Sequence, residues 1–109
     1  MGKAEAKIEE YLKKEAEASG FLCYKFTAPG RTGVPDRVLI GYGQTIFVET
    51  KSPVGTVRPL QKVVIKDMRE HGAAVYVIDD RAQVRSLLQH LVTQVVDIKP
   101  GAPIGIVFE

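Results

Sequence analysis

Hydrophobic residues recur at helical spacing near the start of the chain and then form extended runs. An apolar residue stands at every fourth position of the first segment, which predicts an amphipathic helix over residues 3 to 19: Ala4, Ile8, Leu12 and Ala16. Gly20 follows as a C-terminal cap. The next run, Phe21 to Thr27, is mostly apolar and predicts a strand.

Residues 33 to 51 have the pattern of a β-hairpin. Two apolar runs, Val38 to Ile40 and Ile46 to Val48, flank a short segment that contains glycine. Gly41 and Gly43 bracket the predicted turn, because a positive φ costs least for glycine. The second apolar run has no polar position, which favours a strand that is buried on both faces at the centre of a sheet.

The next helix is predicted to begin near Pro59, since proline is favoured at the first helical position, and to end at Gly72. Its apolar residues are expected to form one buried stripe: Leu60, Val63, Val64 and Met68. The run Ala73 to Ile78 follows and predicts another strand that is buried on both faces.

The last predicted helix covers residues 81 to 92, and Asp79 or Asp80 can cap its N-terminus. Residues 97 to 109 are apolar with two prolines, and they are interpreted either as an edge strand or as a contact with a second copy. The order α-β-β-β-α-β-α plus a tail predicts an α/β fold, a central mixed sheet flanked by helices. A chain of 109 residues suits one domain, with a core over about residues 5 to 92.

Composition indicates an ordinary globular chain, with 45% hydrophobic and 26% charged residues. No apolar run approaches the ~18 residues of a membrane span, and the Lys/Glu-rich N-terminus does not resemble a signal peptide. We therefore expect a cytoplasmic protein with no membrane partner. Cys23 is the single cysteine, so we expect a packed thiol in a reducing compartment. The net charge of +2 does not by itself indicate nucleic-acid binding.

Charged residues stand at the two ends of the predicted hairpin that lie side by side. Asp36 opens the first strand, and Glu49 and Lys51 close the second. Strand residues two apart share a face, ~6.6–6.8 Å apart along the strand. Two partly buried carboxylates repel each other and are desolvated, and a divalent cation such as Mg²⁺ or Mn²⁺ relieves both costs. The adjacent lysine can stabilise developing charge or help to deprotonate a water. The alternative is a turn aspartate and a solvated strand edge.

Pro35-Asp36 followed by Glu49-Thr50-Lys51 matches the signature of PD-(D/E)XK nucleases. Together with the run from Gly33 to Arg37 and the later Pro59-Leu60-Gln61, the sequence resembles the VRR-NUC (virus-type replication-repair nuclease) family in its small stand-alone viral form. The resemblance covers roughly residues 5 to 79. It implies a restriction-endonuclease-like core, one such domain over residues 1–109, and a Mg²⁺- or Mn²⁺-dependent endodeoxyribonuclease. It also suggests a phage- or prophage-encoded protein acting in the host cytoplasm.

The resemblance also assigns roles to residues outside the hairpin ends. It implies a metal-ligating glutamate on the first helix just after an isoleucine; this position is Glu9, with Glu5 one turn earlier as the reserve. The Thr50 backbone carbonyl is a further candidate ligand. Gln61 is carried over as a polar residue that orients a ligand water or Lys51. The candidate metal set is therefore Glu9 or Glu5, Asp36, Glu49 and the Thr50 carbonyl; the candidate catalytic set is Asp36, Glu49, Lys51 and Gln61.

Six basic residues are candidate DNA contacts. They lie in the strand after the first helix, in the loop of residues 28–33, at the start of the hairpin and around the second helix: Lys25, Arg31, Arg37, Arg58, Lys62 and Lys66. No recognition helix, aromatic stacking series or zinc module is apparent in the sequence, so selectivity is expected from DNA structure rather than base sequence. No small-molecule cofactor is expected.

Stand-alone family members resemble junction-resolving enzymes, which implies branched DNA such as a four-way (Holliday) junction as substrate. Two symmetric cuts need two sites, so a homodimer is expected. Two other functions stay open. The chain could be a catalytically silent DNA-binding module that retains the fold, or a structural domain with no affinity for DNA or metal.

Overall fold

The helices and strands follow one another in the predicted order. The computed structural model describes residues 3–52, 55 and 57–94. Within them lie, in chain order, α1 (Lys3–Ala18), β1 (Leu22–Lys25), β2 (Arg37–Gly41), β3 (Gln44–Thr50), α2 (Pro59–Glu70), β4 (Ala74–Ile78) and α3 (Arg81–Thr93). The α-β-β-β-α-β-α order is therefore confirmed. The expectations for residues 97–109, an edge strand or a contact between copies, lie outside the described residues.

The four strands form one mixed sheet in the order β1-β2-β3-β4. The first three strands are antiparallel, and Val38 pairs with Phe47 in the β2–β3 hairpin. The β3 and β4 strands are parallel, with Val48 opposite Tyr76. The intervening α2 provides the crossover that a parallel pair requires. The predicted mixed sheet, with β3 at an interior position, is confirmed.

The hairpin turn differs in detail from the prediction. Gly41 pairs with Gln44, so only Tyr42 and Gly43 lie in the turn, and both have positive φ (55° and 75°). That combination is typical of a two-residue type I′ turn. Gly41 is needed for space instead, since a Cβ there would lie 2.8 Å from Cδ1 of Phe21. The expectation of a positive φ at Gly41 is therefore wrong.

Helix ends follow the expected signals. Gly20, with φ of 95°, donates to the Glu17 carbonyl, and Phe21 N–H donates to the Ala16 carbonyl, which is the Schellman arrangement. At α3 the structure selects Asp80 as the cap, since its Oδ1 accepts from Gln83 N–H at 2.7 Å. Over the described part of the chain, no helix has the length and hydrophobicity needed to cross a bilayer.

One face of the sheet carries the main core. Strand residues on this face pack against α1 and α3, and we call it the α1/α3 face. Its fully buried side chains include Leu12 of α1, Leu39 of β2 and Val48 of β3. Shortening such a leucine to alanine costs about 2–5 kcal/mol. The apolar stripe of α1 is therefore buried as predicted at Ile8, Leu12 and Ala16, whereas Ala4 in the first turn is exposed.

The opposite face, called the α2 face, is covered only in part. The α2 helix contacts β4 and buries Val64 and Ile65, but Leu60 and Val63 are 52% and 53% exposed. The predicted stripe is therefore wrong for Leu60 and Val63, because Gln61 occupies the buried position beside Val64. The prediction that β4 is buried on both faces is also wrong: β4 is the edge strand of the described sheet, and its Val77 is 36% exposed.

Candidate active site

Asp36 is fixed at the start of β2 by main-chain bonds. Phe26 N–H donates to the Asp36 carbonyl at 2.8 Å, which extends the β1–β2 ladder beyond Arg37. The Asp36 Oδ2 atom accepts from Thr50 N–H at 3.1 Å and from Thr50 Oγ1 at 2.8 Å. The carboxylate at the start of β2 is therefore tied to the end of β3, as the hairpin pattern predicts.

Glu49 and Lys51 lie on one face of β3 and are almost completely buried. Their exposures are 2% and 7%, and Lys51 Nζ lies 3.1 Å from Glu49 Oε2. Lys51 N–H donates to the Ile78 carbonyl at 2.8 Å, so the ladder with β4 continues past Thr50 and holds this strand end rigid. The geometry predicted from the two-residue spacing is present.

The buried environment raises the pKa of Glu49 above its ordinary value. Burial is the largest cause, because it disfavours the charged carboxylate, and the nearby charge of Asp36 adds to it. Lys51 and Gln61 act in the opposite direction and only partly compensate. Without a bound cation, ionisation of Glu49 beside Asp36 is therefore unfavourable.

A cavity of about 220 Å³ opens beside this pair. It brings together residues from α1, the loop before β2, the end of β3 and the start of α2: Glu5, Thr32, Gly33, Asp36, Glu49, Lys51, Arg58, Leu60 and Gln61. Six of these were predicted as site residues. Thr32, Gly33 and Leu60 were not, although Thr32 and Gly33 directly follow Arg31, a predicted DNA contact, in the loop before β2.

Glu9 lies on the other side of the sheet. Its Oε2 accepts from Lys25 Nζ at 2.7 Å and from Arg37 Nε at 2.8 Å. Arg37 is opposite Val48, and consecutive residues Val48 and Glu49 point to opposite faces. Of the two glutamates proposed as the helix ligand, the structure therefore places the reserve, Glu5, at the cavity, whereas Glu9 is paired with two cations on the α1/α3 face.

The six candidate DNA contacts fall into three groups. Lys25 and Arg37 pair with Glu9, away from the cavity, and only Lys25 is well exposed. Arg58 lines the cavity, and Arg31 in the loop before β2 comes within 3.9 Å of Asp67. The remaining two lie on a different groove along α2, together with apolar side chains: Lys62 and Lys66 beside Val57, Ile65 and Val77. Of these six candidates, Arg58 is the one that lines the cavity.

The donor set of the cavity suits a hard divalent cation. Two buried oxygens in it, Glu49 Oε1 and Gln61 Oε1, have no hydrogen-bond partner. Mg²⁺ often takes one or two protein carboxylates and fills its remaining positions with water and phosphate oxygens. Among residues 3–52, 55 and 57–94, no group of three or more His, Cys, Asp or Glu side chains is arranged to hold a metal. The fit therefore rests on Asp36, Glu49 and the Gln61 amide oxygen.

The Thr50 carbonyl has a suitable direction for a further ligand. Lys51 N–H points to β4, whereas Thr50 N–H points to Asp36. The carbonyl of a strand residue lies on the same side as its own N–H, so the Thr50 carbonyl also faces the Asp36 side. This agrees with its position in the sequence between the two motif residues.

The mixed sheet, with Asp36, Glu49 and Lys51 converging at the ends of its central hairpin, defines the class: an α/β protein of the PD-(D/E)XK nuclease superfamily. Comparisons narrow the class. A solved structure described as "VRR_NUC domain" has a TM-score of 0.75 and 32% identity; the match covers 82% of this chain and 98% of that one. The chain belongs to the VRR-NUC family.

The chain is also similar to a phage protein. The protein called "Putative nuclease p44", from Acyrthosiphon pisum secondary endosymbiont phage 1, is 40% identical over 84 residues, which cover 71% of this chain and 84% of that protein. No protein-family model matches the chain. The resemblance to the viral form of the family, drawn from a few motif residues, is therefore confirmed.

Proposed function

We propose that the protein is an endonuclease that hydrolyses phosphodiester bonds of DNA with Mg²⁺ or Mn²⁺. The observation that carries this proposal is the buried Glu49–Lys51 pair beside Asp36 in one open cavity, with two buried oxygens unpartnered. Similarity to a phage protein described as a putative nuclease and to a solved VRR-NUC domain supports nuclease activity.

Asp36, Glu49 and the Gln61 amide oxygen would hold the cation, with Glu5 at the cavity wall as the carboxylate from α1. When bound, the cation supplies positive charge that polarises a phosphodiester and lowers the pKa of a water. The Asp36 carboxylate is already oriented by Thr50, so little reorganisation is needed when substrate arrives.

Lys51 stands where it can act on the reacting phosphate. Its Nζ is held 3.1 Å from Glu49 and is nearly buried, so its orientation is fixed. It can donate a hydrogen bond to a non-bridging phosphate oxygen, on which negative charge grows in the transition state. Arg58 at the cavity wall can bind a neighbouring phosphate, which would position the strand for cleavage.

The preferred substrate is proposed to be branched DNA, such as a four-way junction, cut by a homodimer. The sequence contains basic side chains that can contact phosphates, but no recognisable base-reading element is apparent in it. This supports recognition of DNA structure rather than of base sequence. Asp36, Glu49 and Lys51 form one candidate site in each chain, so paired cuts on two strands would need two copies. The phage origin of the relative supports action in the host cytoplasm on phage DNA.

The test is cleavage of a labelled four-way junction and of a matched linear duplex with Mn²⁺, with and without chelator. Wild-type protein should cleave the junction only with metal. Asp36→Asn and Lys51→Ala should abolish cleavage and keep DNA binding. Glu10→Gln, an exposed acid on α1, is the matched control and should cleave normally. A gel shift without any cleavage by wild type would instead identify a DNA-binding module that retains the fold.

A further inference from the structure

Two large apolar side chains of α2 are exposed at the cavity. Leu60 is 52% exposed and Val63 is 53% exposed. They are three residues apart in one helix, so they are neighbours on its surface. Leu60 also lines the cavity that holds Glu49 and Lys51. Leu60 and Val63 therefore form an apolar ridge that begins at the mouth of the candidate active site.

The ridge is not needed to hold α2 in place. The buried face of the helix consists of Gln61, Val64 and Ile65. The loop before β2 approaches this buried face, since a Cβ on Gly33 would lie 3.1 Å from Val64 Cγ2 and 3.3 Å from the Gln61 Cα. Packing within the described part of the chain therefore explains Val64 but not its two exposed neighbours.

Cations lie at both ends of the ridge. Arg58 precedes Leu60 and lines the same cavity. At the other end, Asp67 is four residues after Val63 and so lies on the same side of α2, and Arg31 comes within 3.9 Å of it. Arginine side chains bind phosphates. A DNA strand with phosphates at Arg58 and Arg31 would pass its bases over Leu60 and Val63.

We propose that the ridge contacts the faces of bases that are unstacked next to the cleaved phosphate. This rests on the proposed nuclease function and specifies its substrate class. Paired and stacked bases present only their edges in the grooves, so an apolar ridge finds base faces only where stacking is broken. Apolar side chains that insert between base steps are an established way to unstack DNA.

The substrate class is therefore DNA with unpaired or weakly stacked bases beside the cleaved bond. Unstacking costs least where a base is mismatched or already unpaired, which is the situation at branches and gaps. The ridge thus gives a physical reason for structure selectivity in a protein whose cavity carries carboxylates for a cation and basic side chains for phosphates. Continuity with the cavity and the flanking cations favour DNA over a second copy of the chain as its occupant.

Fluorescence of 2-aminopurine tests this contact without cleavage. The base analogue is placed beside a branch and, separately, inside a matched paired duplex, and each DNA is titrated with the Asp36→Asn protein. Fluorescence should rise at the branch because the base is unstacked. Adding Leu60→Ala and Val63→Ala should remove the rise, whereas Leu22→Ala, a 51%-exposed leucine of β1, should leave it unchanged.

Cleavage supplies the second measurement. In protein with Asp36 intact, the double alanine variant should lower the ratio of branched to paired cleavage about tenfold, since apolar contact area with the base is lost with the two side chains. An unchanged ratio with an unchanged fluorescence rise would overturn the proposal. So would a variant that is monomeric by sedimentation where wild type is dimeric, since the ridge would then join two copies. Absence of all cleavage by wild type, with the fluorescence rise intact, would refute only the nuclease function.

Discussion

Exchanging each of two glutamates of α1 for glutamine should give opposite results. Glu9 is 4% exposed and accepts from Arg37 and Lys25, whereas Glu5 lines the cavity. Glu9→Gln should therefore lower stability and leave metal binding intact. Glu5→Gln should leave stability nearly unchanged and weaken Mn²⁺ binding and cleavage.

The size of the Glu9 effect follows from the burial of its partners. Removing one member of a fully buried ion pair costs about 3–5 kcal/mol, but glutamine keeps one acceptor oxygen. The Lys25 side chain is 58% exposed, so its share is small, while that of Arg37 is only 14% exposed and would lose its anion. We expect a loss of about 1.5–3 kcal/mol, the range of a hydrogen bond to a charged group. Glu5 stands in the first turn of α1, where an acid contributes about 0.3–1 kcal/mol.

Urea denaturation followed by circular dichroism, with chelator present, measures the free energy of unfolding of both variants. Calorimetric titration with Mn²⁺, at a temperature where every variant is folded, measures metal affinity. Glu10→Gln on the exposed side of the same helix is the control for both. The reasoning would be refuted if Glu9→Gln kept full stability and lost Mn²⁺ affinity, because Glu9 would then be the ligand on α1.

Three further predictions concern the site and the core. The raised pKa of Glu49 means that its favourable contribution to stability is complete below the ordinary glutamate pKa of about 4.3 and is lost as pH rises through the higher folded-state pKa. Glu49→Gln should thus raise metal-free stability near pH 7 in urea denaturation, and no gain would contradict the assigned burial. Arg58→Ala should weaken DNA binding alike for all sequences and reduce the salt dependence by about one phosphate contact, measured by anisotropy; a sequence-dependent loss would contradict this. Cys23 is buried with a raised pKa, so its thiol should react with a thiol reagent only on unfolding, and fast labelling of folded protein would contradict the packing.

The hairpin site was predictable because it depends on local geometry. Glu49 and Lys51 share a face since side chains of a strand alternate, and Asp36 meets them because a hairpin brings its two ends together. The apolar run before Glu49 predicted an interior strand, which β3 is. These features need only the periodicity of the chain and one turn, and the structure agrees with each of them.

Gln61 and its neighbours in α2 show where periodicity gave the wrong answer. The apolar residues Leu60 and Val63 suggested a buried stripe, but the helix turns Gln61 toward the cavity and leaves both exposed. Burying Gln61 brings its amide group into the cavity that Glu49 also lines, so the rotation of α2 serves the site rather than the maximum burial of apolar area. A pattern of apolar positions carries no information about that choice.

The sequence by itself determined the order of the elements, the hairpin and the convergence of Asp36, Glu49 and Lys51, because each depends on residues close together in the chain. Only the tertiary structure decided which glutamate of α1 reaches the cavity. That outcome depends on which face of the sheet α1 packs against and on where Lys25 and Arg37 lie. Lys25 and Arg37, which are 16 and 28 residues away from Glu9 in the sequence, pair with it on one face of the sheet. Glu5 is then the glutamate that lines the site.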